Sequence, residues 1–453
     1  MSKNEICKLI ITTIKEFLKS PACLETHRYP KRFVRKRLLS FIHVVMYLLF
    51  TTKSSMFQNI GGLVETLGPE SFPNISKQAL SKARQGIRPS LFLEIFNLSV
   101  DLFYKNITNR KLWHGYHIFA IDGSKLQLPN SNSNFEEFGQ MFSWQNPDRR
   151  WTMALGSVVY DVLDDYIVHA SINPYLASER SAALEHLKTL EVLDIYEDSI
   201  VIFDRGYYSE KLFRYCVAHG HFCLMRLKNN YTLSKSCHEN TVTILKGNTM
   251  EGTQDISIRV IEVTLDTGEK EYLATNLFDT AITVDMFREL YFLRWPVETK
   301  YHELKYRLNI EEFSGATSIS IQQEFFINLL LSNLSSLIKN AADEVIEQNA
   351  PATNRFRYQS NRSFVIGSIK RTLPKILFGL TDLSAIDDIF EHACRNKSQI
   401  QPGRKYKRPQ KPNRRSRSHF NNRKSSIGDD YNADTCHYFQ LSMVDSLFAM
   451  SFC

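Results

Sequence analysis

The sequence lacks the patterns of disulfide-linked, zinc-binding and membrane-spanning proteins. Its eight cysteines include no Cys-x-x-Cys pair and follow no regular spacing, which is typical of free thiols in a reducing compartment. The most apolar run, Leu38–Phe50, is shorter than the roughly 20 residues that cross a bilayer. The first residues carry charge and no apolar signal-peptide segment. These absences predict a protein of the cytoplasm that has no membrane partner.

Acidic residues are also missing from one segment near the C-terminus. Between Arg395 and Lys424 there are 12 Lys or Arg and no Asp or Glu, whereas the whole chain has a formal charge of +8. The rest of the chain is therefore slightly acidic, and the basicity is concentrated in one tail. Such a run is typical of a solvated face or of an arm that binds nucleic acid. We predict a flexible basic tail over 395–425 and a separate C-terminal segment over 426–453.

The spacing of apolar residues divides the remainder into domains. Residues 1–110 are poor in strand patterns and predict a helical DNA-binding domain. Apolar runs that alternate with helical patterns over 111–228 and 283–345 predict an α/β fold with a mixed sheet. Alternating apolar and polar residues over 229–282 predict a β-rich insertion. A C-terminal helical region is predicted over 346–394.

A candidate DNA-binding helix lies in the first domain. Residues 74–84 begin with helix-capping side chains and continue with basic and amide side chains. The pattern favours a recognition helix of helix-turn-helix type, in which Lys77, Lys82 and Arg84 contact DNA. An ordinary amphipathic helix with a solvated basic face explains the same pattern, and both interpretations stay open.

Two aspartates share a common sequence context. Asp122 and Asp204 each follow a short apolar run, and glycine comes next or one residue later. The pattern predicts carboxylates at the ends of strands, where they would repel each other unless a cation neutralised them. Mg²⁺ prefers oxygen ligands, and a pair of such ions stabilises the oxygens that attack and leave in phosphodiester displacement. Plain turns at strand ends are the alternative interpretation.

A third pattern lies on a predicted long helix that runs from near Val284 past Lys305. Tyr291, Arg294, Glu298 and Lys305 stand at offsets of 0, 3, 7 and 14, which places them on one stripe of a single helix. A carboxylate between cations on one stripe can bind a metal and grip phosphates. A solvated helix with an Arg–Glu pair worth about 0.2–0.5 kcal/mol is the alternative.

Together these motifs resemble the insertion-sequence 4 family of DDE-type transposases. Tyr-x(2)-Arg-x(3)-Glu-x(6)-Lys matches the family's Y-R-E-K signature, while Ile-Asp122-Gly-Ser and Ile-Phe-Asp204-Arg-Gly-Tyr resemble its two acidic motifs. The resemblance covers about 75–410 of the chain. It also includes three shorter stretches, namely Leu80–Arg84, Glu179–Leu184 and Arg404–Arg408.

The resemblance implies an RNase H-like catalytic core preceded by the helical domain. In that core Asp122 would lie on the first strand, Asp204 after the fourth and Glu298 on a later helix. The three carboxylates would bind two Mg²⁺ or Mn²⁺ ions. Tyr291, Arg294 and Lys305 would hold phosphates of the transposon end. The further candidate DNA contacts are Arg205, Arg404, Lys405 and Arg408.

The function that the resemblance implies is that of a DNA transposase. Activated water would cut one strand and leave a 3′-OH, which would then attack a phosphodiester. The partners would be double-stranded DNA, as terminal inverted repeats and as target, and a second copy of the chain on paired ends. The expected location is a bacterial cytoplasm, at the nucleoid when DNA is bound. A catalytically silent transposase-derived DNA-binding protein and an RNase H-like nuclease are the alternatives.

Overall fold

Helices form the N-terminal and C-terminal parts of the fold. The computed structural model describes residues 1–400 except Lys36, Lys53, 143–149, 249–252 and 266–267. The helices are α1 (Lys3–Lys19), α2 (Pro21–His27), α3 (Phe41–Phe50), α4 (Met56–Leu67), α5 (Lys77–Arg84), α6 (Ser90–Asn106), α7 (Asn132–Phe138), α8 (Glu179–Val192), α9 (Glu210–Ala218), α10 (Thr232–Lys235), α11 (Val284–Phe292), α12 (Trp295–Tyr306), α13 (Ser318–Gln348), α14 (Arg362–Phe378) and α15 (Ser384–Arg395). Among them, no helix is both long enough and apolar enough to cross a membrane.

Strands form one large central sheet and one small ribbon. They are β1 (His117–Leu128), β2 (Gln140–Phe142), β3 (Arg150–Asp161), β4 (Tyr166–Pro174), β5 (Ser199–Phe203), β6 (Phe222–Leu227), β7 (Asn240–Leu245), β8 (Ile256–Thr264), β9 (Lys270–Thr275), β10 (Tyr358–Ser360) and β11 (Lys397–Gln399). The ribbon consists of β10 and β11, and the other strands belong to the sheet.

The first described part of the chain, α1 to α6, is helical, as predicted. Serine side chains begin several of these helices by accepting a hydrogen bond from a backbone N–H of the first turn. Ser2, Ser40, Ser55 and Ser76 do so for α1, α3, α4 and α5. Their apolar faces are buried in the core that the helices share with the sheet. The predicted helical N-terminal region is confirmed.

The central sheet has RNase H-like topology. β3 lies between β1 and β4 and is antiparallel to both, β5 is parallel to β1, and β6 is parallel to β5. The spatial order is thus β4-β3-β1-β5-β6, with the connections through α8 and α9 serving as the crossovers that parallel strands need. The predicted fold class, an α/β fold with an RNase H-like core, is confirmed.

The β-rich stretch after β6 extends this sheet. β7, β8 and β9 form an antiparallel set, and β9 pairs with β6, with Leu224 opposite Thr275. β8 and β9 are consecutive strands, and Gly268 between them has a φ of +82° that suits glycine. The inserted strands and the RNase H-like strands are therefore continuous through backbone hydrogen bonds.

Helix α13 is the centre of the helical layer. Its 31 residues are mostly buried, and it packs against α1, α3, α6, α14 and α15 as well as against β4. Asn333 of α13 accepts a hydrogen bond from the N–H of Ile167 at 2.9 Å and donates to the Ile167 carbonyl at 2.8 Å. The amide thus pairs with backbone groups of β4 that would otherwise lose hydrogen bonds on burial.

Arg84 joins α5 to α13 and is fully buried. Its Nε donates to Gln323 Oε1 at 3.1 Å, and its Nη1 lies 2.9 Å from Glu324 Oε1. These contacts use the guanidinium inside the protein, which corrects its prediction as a DNA contact. Lys77 and Lys82 on the same helix are exposed, and their role as DNA contacts stays a prediction.

The folded body extends further toward the C-terminus than predicted. β11 pairs with β10 and the N–H of Ile400 donates to the carbonyl of Arg357, so the start of the predicted flexible tail is part of a ribbon. Residues 401–453 lie outside the described residues. They include the rest of the basic tail, the segment 426–453 and three predicted DNA contacts, Arg404, Lys405 and Arg408.

Arg84→Ala is expected to lower the free energy of unfolding by about 3–5 kcal/mol, because it leaves Glu324 buried without its cation. Lys82→Ala is the matched control on the exposed face of α5 and should change stability by less than about 0.5 kcal/mol. Urea unfolding of both variants measures the difference. Similar small effects would contradict the anchoring role of Arg84.

Candidate active site

Asp122 and Asp204 lie side by side on neighbouring parallel strands. Ile121 of β1 is in register with Phe203, the last residue of β5, and the two aspartates are the next residues along these strands. β1 does not end at Asp122, as the sequence predicts, but continues to Leu128, because its later residues still pair with β3. Asp122 therefore has a fixed strand backbone, whereas Asp204 begins the loop that follows β5.

Glu298 approaches these aspartates from the segment formed by α11 and α12. The sequence predicts one continuous helix, but α11 ends at Phe292 and α12 begins at Trp295. Pro296 lies in the first turn of α12 and has no N–H to continue the hydrogen bonding of α11, which explains the break. The predicted single stripe is thus split between two helices, with Glu298 in the first turn of the second.

Arg294 stands at this break and links two of the carboxylates. Its side chain is buried, its Nη2 lies 2.9 Å from Glu298 Oε1, and its Nε lies 4.0 Å from Asp204 Oδ1. The Tyr291 hydroxyl donates to Asp204 Oδ1 at 3.2 Å. Tyr291 and Arg294 therefore face the carboxylates in the described arrangement, and their contact with phosphates stays a prediction.

The Asp122 carboxyl has a strongly raised pKa. Burial raises its pKa to about 7, and the nearby carboxylates of Asp204 and Glu298 add to the rise. The guanidinium of Arg294 and the N–H of Gly123, which donates to Oδ1 at 2.9 Å, oppose the rise only in part. The site therefore holds more negative charge than its own cation neutralises.

The predicted basic contacts are partly exposed at the edge of this site. Arg205 is exposed in the loop directly after Asp204. The Lys305 Nζ donates to the carbonyl of Lys125 at 3.0 Å and lies 3.4 Å from Glu311 Oε1. Lys305 is thus held beside β1, two turns beyond Glu298. Contacts of Arg205 and Lys305 with DNA stay predictions.

A largely buried charge cluster fixes the helix that carries Glu298. Lys300 Nζ lies 2.6 Å from Asp165 Oδ1, and Arg362 Nε lies 2.6 Å from Glu303 Oε2. Burial alone would raise the pKa of Asp165, but Arg362 and Lys300 hold it well below its ordinary value. The sequence analysis missed this cluster, since only the pair on α12 is local and Arg362 lies on α14.

The donor set of the site fits the predicted Mg²⁺ or Mn²⁺ in kind. Asp122, Asp204 and Glu298 offer only carboxylate oxygens, which are the ligands that hard divalent cations prefer. Burial is the main cause of the raised pKa of Asp122, and the two neighbouring carboxylates add to it. Among the described residues, however, no three His, Cys, Asp or Glu side chains stand together at metal-ligand spacing. Arg294 lies between two of the carboxylates instead.

Comparison with known proteins finds a family match for the stretch that contains the central sheet and these carboxylates. Residues 113–334, which contain Asp122, Asp204 and Glu298 and make up just under half of the chain, match the family described as "Transposase DDE domain". The predicted relation to DDE transposases is thus confirmed at the level of this domain. Membership of the insertion-sequence 4 family and the Y-R-E-K signature stay predictions.

Two individual proteins are similar to this chain. The Escherichia coli (strain K12) protein named "Putative transposase InsZ" is 23% identical over 138 residues, which are 30% of this chain and 44% of that protein. The match thus spans less than half of that curated relative. The piggyBac transposase, in a cryo-EM structure of its synaptic complex with hairpin DNA, is similar with a TM-score of 0.48 and 11% identity, over 86% of this chain and 84% of that one.

Asp122→Asn is expected to stabilise the metal-free protein by about 1–3 kcal/mol near pH 8. The folded pKa of about 7 exceeds the ordinary value of 3.8, so between these two pH values the folded state keeps a proton that the unfolded state has lost, and above pH 7 the folded state bears the unfavourable buried charge. Its stability should therefore fall as the pH rises from 4 to 7, and the asparagine removes this loss.

Thermal unfolding in EDTA between pH 5 and 8 measures this effect. The stabilisation by Asp122→Asn should grow with pH, while Asp388→Asn, an exposed aspartate on α15, should behave like the unchanged protein at every pH. A stabilisation that is independent of pH would show that the Asp122 carboxyl does not titrate in this range.

Proposed function

We propose that the protein is a DDE-type DNA transposase of the insertion-sequence 4 kind, which cuts transposon ends and joins them to target DNA. The observation that supports this most directly is the joint position of three carboxylates. Asp122 and Asp204 follow residues paired in register on parallel strands, and Arg294 links Glu298 to Asp204. All of them lie within the stretch that matches the transposase domain.

In this proposal Asp122, Asp204 and Glu298 hold two Mg²⁺ or Mn²⁺ ions. When bound, such a pair of ions supplies the charge that stabilises the attacking and leaving oxygens of a phosphodiester. Asp122 is fixed by strand pairing on β1, so it provides the rigid side of the site. Glu298 is fixed through α12, which the cluster around Lys300 holds against the sheet.

The residues around the carboxylates divide into two groups. Tyr291 and Arg294 are buried and contact Asp204 and Glu298, so in this proposal they orient the carboxylates and neutralise part of their charge. Exposed or partly exposed basic side chains contact the DNA phosphates, where they supply affinity without sequence preference. These are Arg205, Lys305, Lys77 and Lys82.

The proposed partners are the terminal inverted repeats of a transposon and a target duplex. A second copy of the chain would pair the two ends as a homodimer. The basic segment after residue 400 would add sequence-independent affinity, since each phosphate contact releases counterions.

Asp204→Asn and Glu298→Gln are expected to reduce DNA cleavage by about 100-fold or more, because each removes a charged ligand while keeping the side-chain shape. Both variants should bind DNA as the unchanged protein does. The substrate is linear DNA that carries the gene's own flanking sequences, mixed with full-length protein and Mg²⁺. Asp388→Asn is the control with an exposed aspartate on α15 and should cleave normally.

The products separate the alternatives. Cleavage at a repeat boundary followed by joining supports the transposase. Cleavage without joining and without preference for repeats would indicate a nuclease. Defined DNA binding with no metal-dependent product would indicate a catalytically silent DNA-binding protein, and unchanged cleavage by Asp204→Asn would refute the proposed site.

A chain that ends at Ile400 is expected to bind DNA with a shallower dependence on salt. The slope of log affinity against log salt should decrease by about 0.9 for each phosphate contact that the tail makes. Ending at Ile400 keeps β11 paired with β10, so the folded body stays intact. A chain that ends at Lys424 keeps the basic stretch and is the matched control. Equal slopes for both chains would show that the tail does not contact DNA.

A further inference from the structure

Glu179 is a fourth carboxylate at the edge of the candidate active site. It is the first residue of α8, which follows β4, and Ser178 caps that helix. A Cβ atom built on Gly123 would lie 3.4 Å from Glu179 Oε1, and one built on Gly206 would lie 3.8 Å from Oε2. The two carboxylate oxygens therefore face the segments that follow Asp122 and Asp204.

The approach of Glu179 is tight at Gly123, whereas at Gly206 a Cβ atom would make only an ordinary van der Waals contact with it. At Gly123 a Cβ atom would also come within 3.3 Å of Glu179 Cγ, which is closer than most side-chain contacts allow. A larger residue would displace the carboxylate. The backbone at Gly123 therefore makes room for the Glu179 side chain.

The side chain of Tyr207 provides a second, independent observation near these groups. Its side chain is 2% exposed, and its hydroxyl has no hydrogen-bond partner among the described residues. Burial raises its pKa well above the ordinary value, and the charges of Asp122, Glu179 and Asp204 raise it further. A buried hydroxyl beside three carboxylates is costly unless another polar group satisfies it.

A backbone contact holds α8 against the loop after Asp204. Arg180 donates to the carbonyl of Gly206 through Nε at 3.2 Å and through Nη2 at 3.1 Å. The first turn of α8 is thereby tied to the loop that carries Asp204. Glu179 is held at the site by a tether that does not use its own carboxylate.

We propose that Glu179 is a fourth carboxylate ligand of the cation site formed by Asp122, Asp204 and Glu298. The inference rests on the proposed function and deepens it. Arg294 offsets a single negative charge, and Glu179 adds one more, which divalent cations bound among these carboxylates would offset. A water held by such a cation would also give the Tyr207 hydroxyl a partner.

A carboxylate at this position also has a purely structural explanation. Acidic side chains in the first turn of a helix stabilise it by about 0.3–1 kcal/mol through the helix dipole. In that case Glu179 would affect the stability of α8 and leave cation binding unchanged. The two explanations differ in a measurement made with metal alone.

The test is the binding of Mn²⁺ to the full-length protein without DNA, by titration calorimetry and by electron paramagnetic resonance of free Mn²⁺. Glu179→Gln keeps the size of the side chain and is expected to weaken Mn²⁺ binding by about 10–100-fold. Glu185→Gln is the matched control, because Glu185 lies on the same helix, is exposed and pairs with Lys188. It should bind Mn²⁺ as the unchanged protein does.

A second variant guards against misfolding. Glu179→Asp keeps the charge and draws the carboxylate back, so it should bind Mn²⁺ with an affinity between those of Glu179→Gln and the unchanged protein. Thermal unfolding in EDTA verifies that both variants fold. A graded loss of affinity in folded variants supports the proposal.

Two results would overturn it, and they separate it from the proposed function. If Asp204→Asn weakens Mn²⁺ binding and Glu179→Gln does not, Glu179 is no ligand and the three-carboxylate site stands. If the unchanged protein shows no saturable Mn²⁺ binding, both this proposal and the metal site of the proposed function fail.

Discussion

Repulsion between neighbouring carboxylates is the constraint on which the candidate active site depends. Parallel pairing of β1 with β5 makes Asp122 and Asp204 neighbours, although their negative charges repel each other. The fold brings a buried guanidinium to the same place, because the helix breaks at Pro296 and leaves Arg294 beside them. Arg294 offsets only part of the negative charge, and burial together with the charges of Asp204 and Glu298 raises the pKa of Asp122. In the proposed function, bound cations would offset this imbalance.

Ion pairs between distant parts of the chain hold the site in position. Arg84 and Glu324 tie the N-terminal helices to α13, while Lys300 and Arg362 tie α12 to the β3–β4 turn and to α14. Buried charges of this kind contribute little net stability, but removal of one partner is costly, so the alternatives to this packing are unfavourable. The ion pairs that favour this one packing of the helices therefore also fix the direction from which Glu298 approaches the aspartates.

Local sequence patterns predicted most helices and strands, whereas long-range contacts determined features that these patterns do not show. The strand before Asp204 and the strands of the insertion could be predicted from apolar runs, because a short run of this kind usually forms a strand. The break before Pro296 also had a local cause in the sequence, although the periodicity of Tyr291 and Glu298 favoured a continuous helix. The burial of Arg84 had no local cause, since Glu324 lies 240 residues further along the chain. Exposed and buried basic residues look alike until their partners are known.

Helix α13 also prevents the N-terminal helices from forming a domain that is independent of the rest of the fold. α1, α3 and α6 cover one side of it, and the sheet and α14 cover others. A fragment that began at β1 would leave a face rich in Leu, Ile and Phe open to water, which is unfavourable in proportion to its apolar area. An exchange of the N-terminal helices between related genes would therefore have to bring residues that match this face of α13.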